Sequence, residues 1–291
     1  MSGRNSPVAV HRFGRTDGPT LVLFHGNGDS GRCWPDAVSR WGRDYRLLAV
    51  DARGHGDSPR FTADELQRPA EVYLADARSV VENARADGEP VVGVGHSLGG
   101  GVLTELAARW PDLLDAAVLL DPPWDSPVVG PEPRPEVGER WVTLVKEWRA
   151  DPEGALQEHE LANLAWPDGE SEAWLEAKMQ VDLSLIAVGN GRSATAWHEL
   201  VRAIRTPTLV VTGDHDCLVA EETQSRLAQI ANPAVEVAVV ADADHYVRQS
   251  AAEAFHAVVD PWIARQASHR PALTSGDASG SAGHPDADTG R

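Results

Sequence analysis

The chain has 291 residues, 42% of them hydrophobic, and a formal net charge of −18. That is enough material for one large α/β domain, or for a core with an inserted lid. The acidic balance excludes nucleic acid and anionic membrane as partners, because phosphate binding needs a basic surface. No apolar run approaches the ~20 residues of a membrane span. Residues 1–7 are polar and lack a signal-peptide core, so a cytoplasmic location is the expectation. Cys33 and Cys217 form no disulfide framework and are expected to be reduced thiols.

In chain order, residues 7–13 read as a short edge strand. Asp17-Gly18-Pro19 turns the chain into the apolar run 20–24, a buried strand that ends in His25-Gly26-Asn27-Gly28. A helical stretch follows around residues 34–41. The next strand, 45–50, ends in Asp51-Ala52-Arg53-Gly54-His55-Gly56-Asp57-Ser58. Residues 69–85 read as a helix, with Val72, Leu74, Ala77, Val80, Val81 and Ala84 near helical spacing. The apolar run from Val91 stops abruptly at Gly95. Ser97 follows, and Leu98, Val102, Leu103 and Leu106 begin a helical pattern. Strand, sharp turn and helix thus meet at a serine flanked by glycines as G-x-S-x-G. A turn this tight strains the serine backbone and leaves no room for side chains two positions either side. In return the hydroxyl lies exposed beside a helix N-terminus, whose free N–H groups favour developing negative charge. Residues 116–120 form another strand, closing at Asp121-Pro122-Pro123.

The alternation of strand and helix predicts a parallel sheet with right-handed crossovers. It stops at Pro122. Residues 130–137 read as a proline-rich linker, and 138–204 are helical in pieces broken at Pro152, Pro167 and 189–191. Strands resume at 207–211, ending in Gly213-Asp214-His215-Asp216, and at 235–240, ending in Asp242-Ala243-Asp244-His245. A helix over 250–264 closes the fold. The expected division is a core of residues 1–121 and 207–266, a helical cap of residues 122–206, and a disordered tail of residues 267–291 poor in apolar residues.

A serine hydroxyl is a poor nucleophile at its free pKa; it needs a base, and the base needs orienting. In open α/β sheets such groups gather at the carboxyl ends of strands. His245 is there, after the last strand, and Asp216 after the one before. Ser97, Asp216, His245 is the chain order of an elbow-type hydrolase. Asp121, also at a strand end, is the rival for the acid. Asp214, His215, Asp216, Asp242, Asp244 and His245 also look like metal ligands, but the elbow explains these strand ends without a metal, and none is expected.

These segments resemble the α/β-hydrolase fold family. The matches are His25-Gly26-Asn27-Gly28, Asp51-x-Arg53-Gly54-His55-Gly56-x-Ser58, Gly95-His96-Ser97-Leu98-Gly99-Gly100, Gly213-x-x-Asp216 and the late His245, in family order over residues 20–265. Asp244 stands where the family usually has glycine. The resemblance implies an α/β fold with a mostly parallel central sheet flanked by helices and an inserted helical cap. It implies a serine hydrolase with catalytic Ser97, Asp216 and His245, and an oxyanion hole from the backbone N–H groups of Asn27 and Leu98. It allows the acid at the earlier strand, Asp121. Asp51, Arg53 and His55 would brace the loop near the site. No cofactor is implied. The expected substrate is a small apolar ester or lactone, with Trp124, at the cap entrance, lining its pocket. Rivals are a C–C bond hydrolase, a thioesterase or cyclase of secondary metabolism, and, from another class, a ligand receptor with an idle triad.

Overall fold

A computed structural model of the chain describes residues 7–124, 135–189 and 193–268. Its centre is a sheet of seven strands: β1 (Val10–Gly14), β2 (Thr20–Phe24), β3 (Arg46–Val50), β4 (Val91–His96), β5 (Ala116–Leu120), β6 (Thr208–Gly213) and β7 (Val235–Val240). They hydrogen-bond in the order β1-β3-β2-β4-β5-β6-β7. β1 is antiparallel to β3, and every other neighbour pair is parallel.

The parallel strands need crossovers, and α1 (Pro35–Trp41), α2 (Pro69–Arg85) and α3 (Leu98–Arg109) supply those from β2 to β5. Central strands covered on both faces become continuous apolar runs, as in β2 and β5, where every residue is buried. Alternate residues serve opposite layers. Val22 and Phe24 pack with Val81, Leu103 and Leu106, while Leu21 and Leu23 pack with Trp41, Phe255 and Trp262.

Between β5 and β6 lie α4 (Pro135–Ala150), α5 (Pro152–Ala162), α6 (Glu170–Gln180), α7 (Leu183–Val188) and α8 (Trp197–Ala203). Pro152 begins α5, where a missing N–H costs nothing, and the Asp151 side chain accepts from Gly154 N. Helices α4, α6 and α7 meet around Val145, Val181 and Ile186, α5 packs on α4 and α6, and Lys178 of α6 and Asp182 before α7 bond the loops after β2 and β3. α8 is different: it lies on α3, and its Trp197 belongs to the central core. The expected linker residues 130–134 and the break at 190–191 lie outside the described residues.

After β6 come α9 (Glu221–Ile230) and, beyond β7, α10 (Val247–Ser250) and α11 (Ala252–Ser268). α11 carries the chain four residues past the expected end of the closing helix. Ala267, expected to begin the tail, is buried on it; residues 269–291 lie outside the described residues. No helix among the described residues is long and apolar enough to cross a membrane.

Candidate active site

The register of the sheet brings the chemistry-bearing residues together. Phe24 is paired with Gly95, and His96 with Leu120. His25, Ser97 and Asp121 therefore leave three adjacent strands at one edge. Ser97 N donates to Leu120 O at 2.9 Å, and Gly99 N to His25 O at 3.2 Å. Ser97 has φ 47° and ψ −112°, a left-handed backbone that a non-glycine residue adopts only under constraint. The flanking glycines supply the constraint. A Cβ on Gly95 would lie 2.5 Å from the Gly99 carbonyl, and one on Gly99 would lie 2.2 Å from Phe24 O. The motif is thus a packing requirement of strand, turn and helix.

Leu98 is the first residue of α3, and its N–H has no bonding partner among the described residues, nor does that of Asn27. The direction of the Asn27 N–H is set by the carbonyl of the same peptide. Gly26 O accepts from His25 Nδ1 at 2.7 Å and from Asp29 N at 3.2 Å. His25 Nε2 accepts from Ala52 N, and His55 Nε2 accepts from Gly28 N at 3.1 Å. Both imidazoles are held neutral. Burial pushes His25 down from its ordinary value and His55 down to about 3. The expected bracing role of Asp51, Arg53 and His55 is visible here. Asp51 accepts from Gly31 N, Asp57 N and His11 Nε2, and Arg53 forks onto Asp76 at 2.9 and 3.1 Å. His11, Asp51 and Asp57 have the spacing of metal ligands, but these hydrogen bonds account for the group as a loop brace.

The structure separates two aspartates that look alike in the sequence. His245 Nδ1 lies 2.5 Å from Asp121 Oδ2, not from Asp216. Asp121 is fully buried and also accepts from Leu218 N at 2.8 Å, Val219 N at 2.9 Å and Thr212 Oγ1 at 2.8 Å. Burial alone would raise its pKa. The His245 hydrogen bond and charge and the two N–H donors outweigh that and lower it. Asp216 is exposed, and no bond joins it to His245 among the described residues. The expected pairing of Asp216 with His245 is therefore corrected to Asp121. The β6 loop contributes two backbone N–H groups to Asp121 rather than a carboxylate to His245. A signal for this was present: Asp121 closes the strand adjacent to the serine strand.

Sequence reasoning missed Lys178, and His96 stands beside the serine as a packed neighbour. His96 Nε2 donates to the carbonyl of His245 at 3.0 Å, with the two rings 4.8 Å apart. Burial, then the nearby His245, pushes its pKa down to about 4. Lys178 of α6 is buried against the loop after β2, with Nζ 2.8 Å from Gly28 O and 2.7 Å from Asp29 Oδ1. Trp124, expected in the substrate pocket, is placed elsewhere. Its indole stacks on Trp197 at 5.2 Å and donates to Thr104 Oγ1, within the central core. The tryptophan beside the His245 loop is Trp166, 5.0 Å from the Tyr246 ring.

A mostly parallel sheet with a strained serine at a strand–helix turn, and a histidine after β7 bonded to an aspartate after β5, defines an α/β protein of the hydrolase architecture. The model of the Alpha/beta hydrolase family matches residues 21–258, and the chain belongs to that family. No curated protein matches the sequence. Among solved structures, the N-formylmaleamic acid deformylase from Pseudomonas putida S16 is similar at 19% identity and a TM-score of 0.68, over 86% of this chain and 94% of its own. An enol-lactonase from Burkholderia xenovorans LB400 is similar at 20% identity and a TM-score of 0.64, covering 88% and 96%. A thermophilic esterase from Thermogutta terrifontis gives 20% and 0.62, covering 89% and 93%.

Proposed function

We propose that the protein is a serine hydrolase that cleaves an apolar carboxylic ester or lactone through an acyl-enzyme. The observation that carries this reading is the strained Ser97 at the strand–helix turn, on the same sheet edge as a His245 whose Nδ1 is held by a buried, multiply hydrogen-bonded Asp121. With Nδ1 engaged, Nε2 is the atom left to act as base. His245 takes the Ser97 proton as Oγ bonds to the substrate carbonyl carbon, and the carbonyl electrons move onto oxygen. The N–H groups of Asn27 and Leu98 receive that oxyanion. Collapse expels the alkoxide, which takes the proton from His245. Water, deprotonated by His245, then adds to the acyl carbon, and collapse releases the carboxylic acid and Ser97 Oγ, which takes the proton back from His245. Asp121 holds the tautomer and stabilises the imidazolium.

The lining that Phe24, Val50, Tyr73, Ala77, Leu98 and Val102 form next to the turn is apolar and partly open to solvent, which supports an apolar substrate group. Asn27 Oδ1 is buried without a partner, an acceptor that a substrate N–H could satisfy. Carboxamides are therefore the second substrate class to screen. The test is a panel of acyl esters, lactones, thioesters and amides of graded chain length, with Ser97→Ala alongside. Ser97→Ala should lower kcat by about 10⁴–10⁶ with folding intact. Activity within tenfold of wild type would sink the serine mechanism. Labelling of Ser97 by a fluorophosphonate with negligible turnover of the whole panel would favour the receptor alternative.

A further inference from the structure

Helix α6 has a buried stripe of unusual composition. Glu170, Ala173, Trp174, Ala177 and Lys178 recur at i, i+3, i+4, i+7 and i+8, and all five are buried. The middle of the stripe packs as expected: Trp174 stacks on His159 at 3.9 Å, and Ala173 and Ala177 meet Cys33. Both ends carry charge where a helix facing a core carries apolar side chains.

Each charged end grips one segment of the candidate site, the loop after β2 and the short helix α10 that follows His245. The Lys178 side chain is 2% exposed and that of Asp29 is 7%. Lys178 Nζ donates to Gly28 O and to Asp29 Oδ1, and it holds the Asp29 carboxyl down to about 2 although burial alone would raise it. Gly28 is thereby pinned on both sides, its N–H by His55 and its carbonyl by Lys178, at a φ of 76°. Asp29 N in turn fixes the Gly26 carbonyl, which orients the Asn27 N–H. At the other end, Glu170 pairs with Arg248 through both carboxylate oxygens, one bond measuring 2.7 Å, with both side chains at most 3% exposed. Arg248 is three residues after His245 and also donates to Cys33 O. The backbone of α6 is itself tied down: Arg149 Nε donates to Lys178 O at 2.9 Å.

Buried ion pairs are a poor source of stability, because desolvation offsets much of the attraction. Two of them on one helix, aimed at the loop that carries Asn27 and at the segment that follows His245, serve placement. We infer that α6 is a clamp that positions both segments, and that Lys178 is a positioning residue for the oxyanion-binding N–H of Asn27. The inference rests on the serine-hydrolase reading above. A cap residue thus completes the site from outside the core, and the oxyanion hole is in place only while α6 is docked.

The test compares wild type, Lys178→Met, and the double variant Lys178→Met/Asp29→Asn, which removes both charges. Lys146→Met, at the only other lysine, on an exposed part of α4, is the control. Steady-state kinetics are measured on the best ester of the panel, below the melting temperature of each variant. Lys178→Met should lower kcat about 10- to 100-fold, as expected when a reacting geometry is misplaced, with KM within about threefold. The double variant should recover most of the melting temperature that the single variant loses, because no charge is left buried alone, while kcat stays low. Should Lys178→Met fail to fold, the double variant carries the test. A kcat within twofold of wild type in folded Lys178→Met, or a kcat in the double variant that recovers together with the melting temperature, overturns the clamp and leaves a structural role. These outcomes are separate from failure of the hydrolase reading, which shows as no turnover by wild type or as full turnover by Ser97→Ala.

Discussion

Asp121 and Asp216 end neighbouring strands of one sheet, and both have a left-handed backbone, with φ of 42° and 43°. In sequence both are candidates to orient a histidine, and Asp216 is the expected one. In space they are opposites. Asp121 is fully buried and receives four hydrogen bonds; Asp216 is exposed. The difference arises because the loop after β6 folds over the end of β5. That loop turns its Leu218 and Val219 N–H groups onto Asp121 and its Asp216 side chain outward. A triad acid is defined by the groups that donate to it, and closeness to the histidine along the chain is a weak guide.

The largest expected effect breaks this comparison directly. Asp121→Asn should leave His245 wrongly oriented and lower kcat by about 10³–10⁴. Asp216→Asn should stay within about twofold. Kinetics of the two variants side by side decide it, and a reversed order would return the acid to the β6 loop.

The same contrast separates two tryptophans. Trp124 lies next to a strand end in sequence, yet it is stacked and hydrogen-bonded inside the core. Trp124→Ala should destabilise the fold by about 3–5 kcal/mol, read from denaturant unfolding, and leave the chain-length profile of ester hydrolysis parallel to wild type. Each added substrate methylene should raise kcat/KM by up to about fourfold, on ~0.8 kcal/mol per methylene. Trp166→Ala, beside the His245 loop, should flatten that slope instead. A flattened slope in Trp124→Ala would put its indole back in the pocket.

Buried and exposed histidines sharpen the comparison by their sign. His25, His55 and His96 are buried, and their pKa values fall, to about 3 for His55 and about 4 for His96. The unfolded chain takes up these protons near pH 6.5, whereas the folded chain refuses them. Stability should therefore fall as pH drops from about 6.5 toward 4, by about 1.4 kcal/mol per pH unit for each group involved. His256 works in the other direction. Burial alone would lower its pKa, but the hydrogen bonds it donates to Asp260 and Asp36 raise it. Its contribution is complete below pH 6.5 and is lost as pH rises through its folded value. Exposed His215, paired with Asp214, should affect neither limb measurably. Chemical denaturation between pH 4.5 and 8.5 should give the acid limb in wild type, with the alkaline limb weakened in His256→Gln. A flat acid limb would mean that the three imidazoles carry protons in the folded state.

What the sequence determined by itself is everything written in local pattern. The strand order along the chain follows from the apolar runs, and the serine turn follows from two glycines whose absent Cβ atoms the packing requires. Asn27 and Leu98 entered as candidate donors only through the resemblance of their segments to the α/β-hydrolase family. The partner of His245 was not legible. Two strand-end aspartates, Asp216 and Asp121, compete for it, and the choice depends on how a loop after one strand closes over the end of another. The role of α6 was hidden for a related reason. The buried spacing of Glu170 and Lys178 is visible, but charged residues on a helix read as its solvated face until the helix is docked. Only then do Asp29 and Arg248, more than 70 residues away in either direction, stand opposite them. Periodicity records which residues share a face. Which charge meets which is decided by long-range packing, where burial makes an unmatched ion too costly to keep.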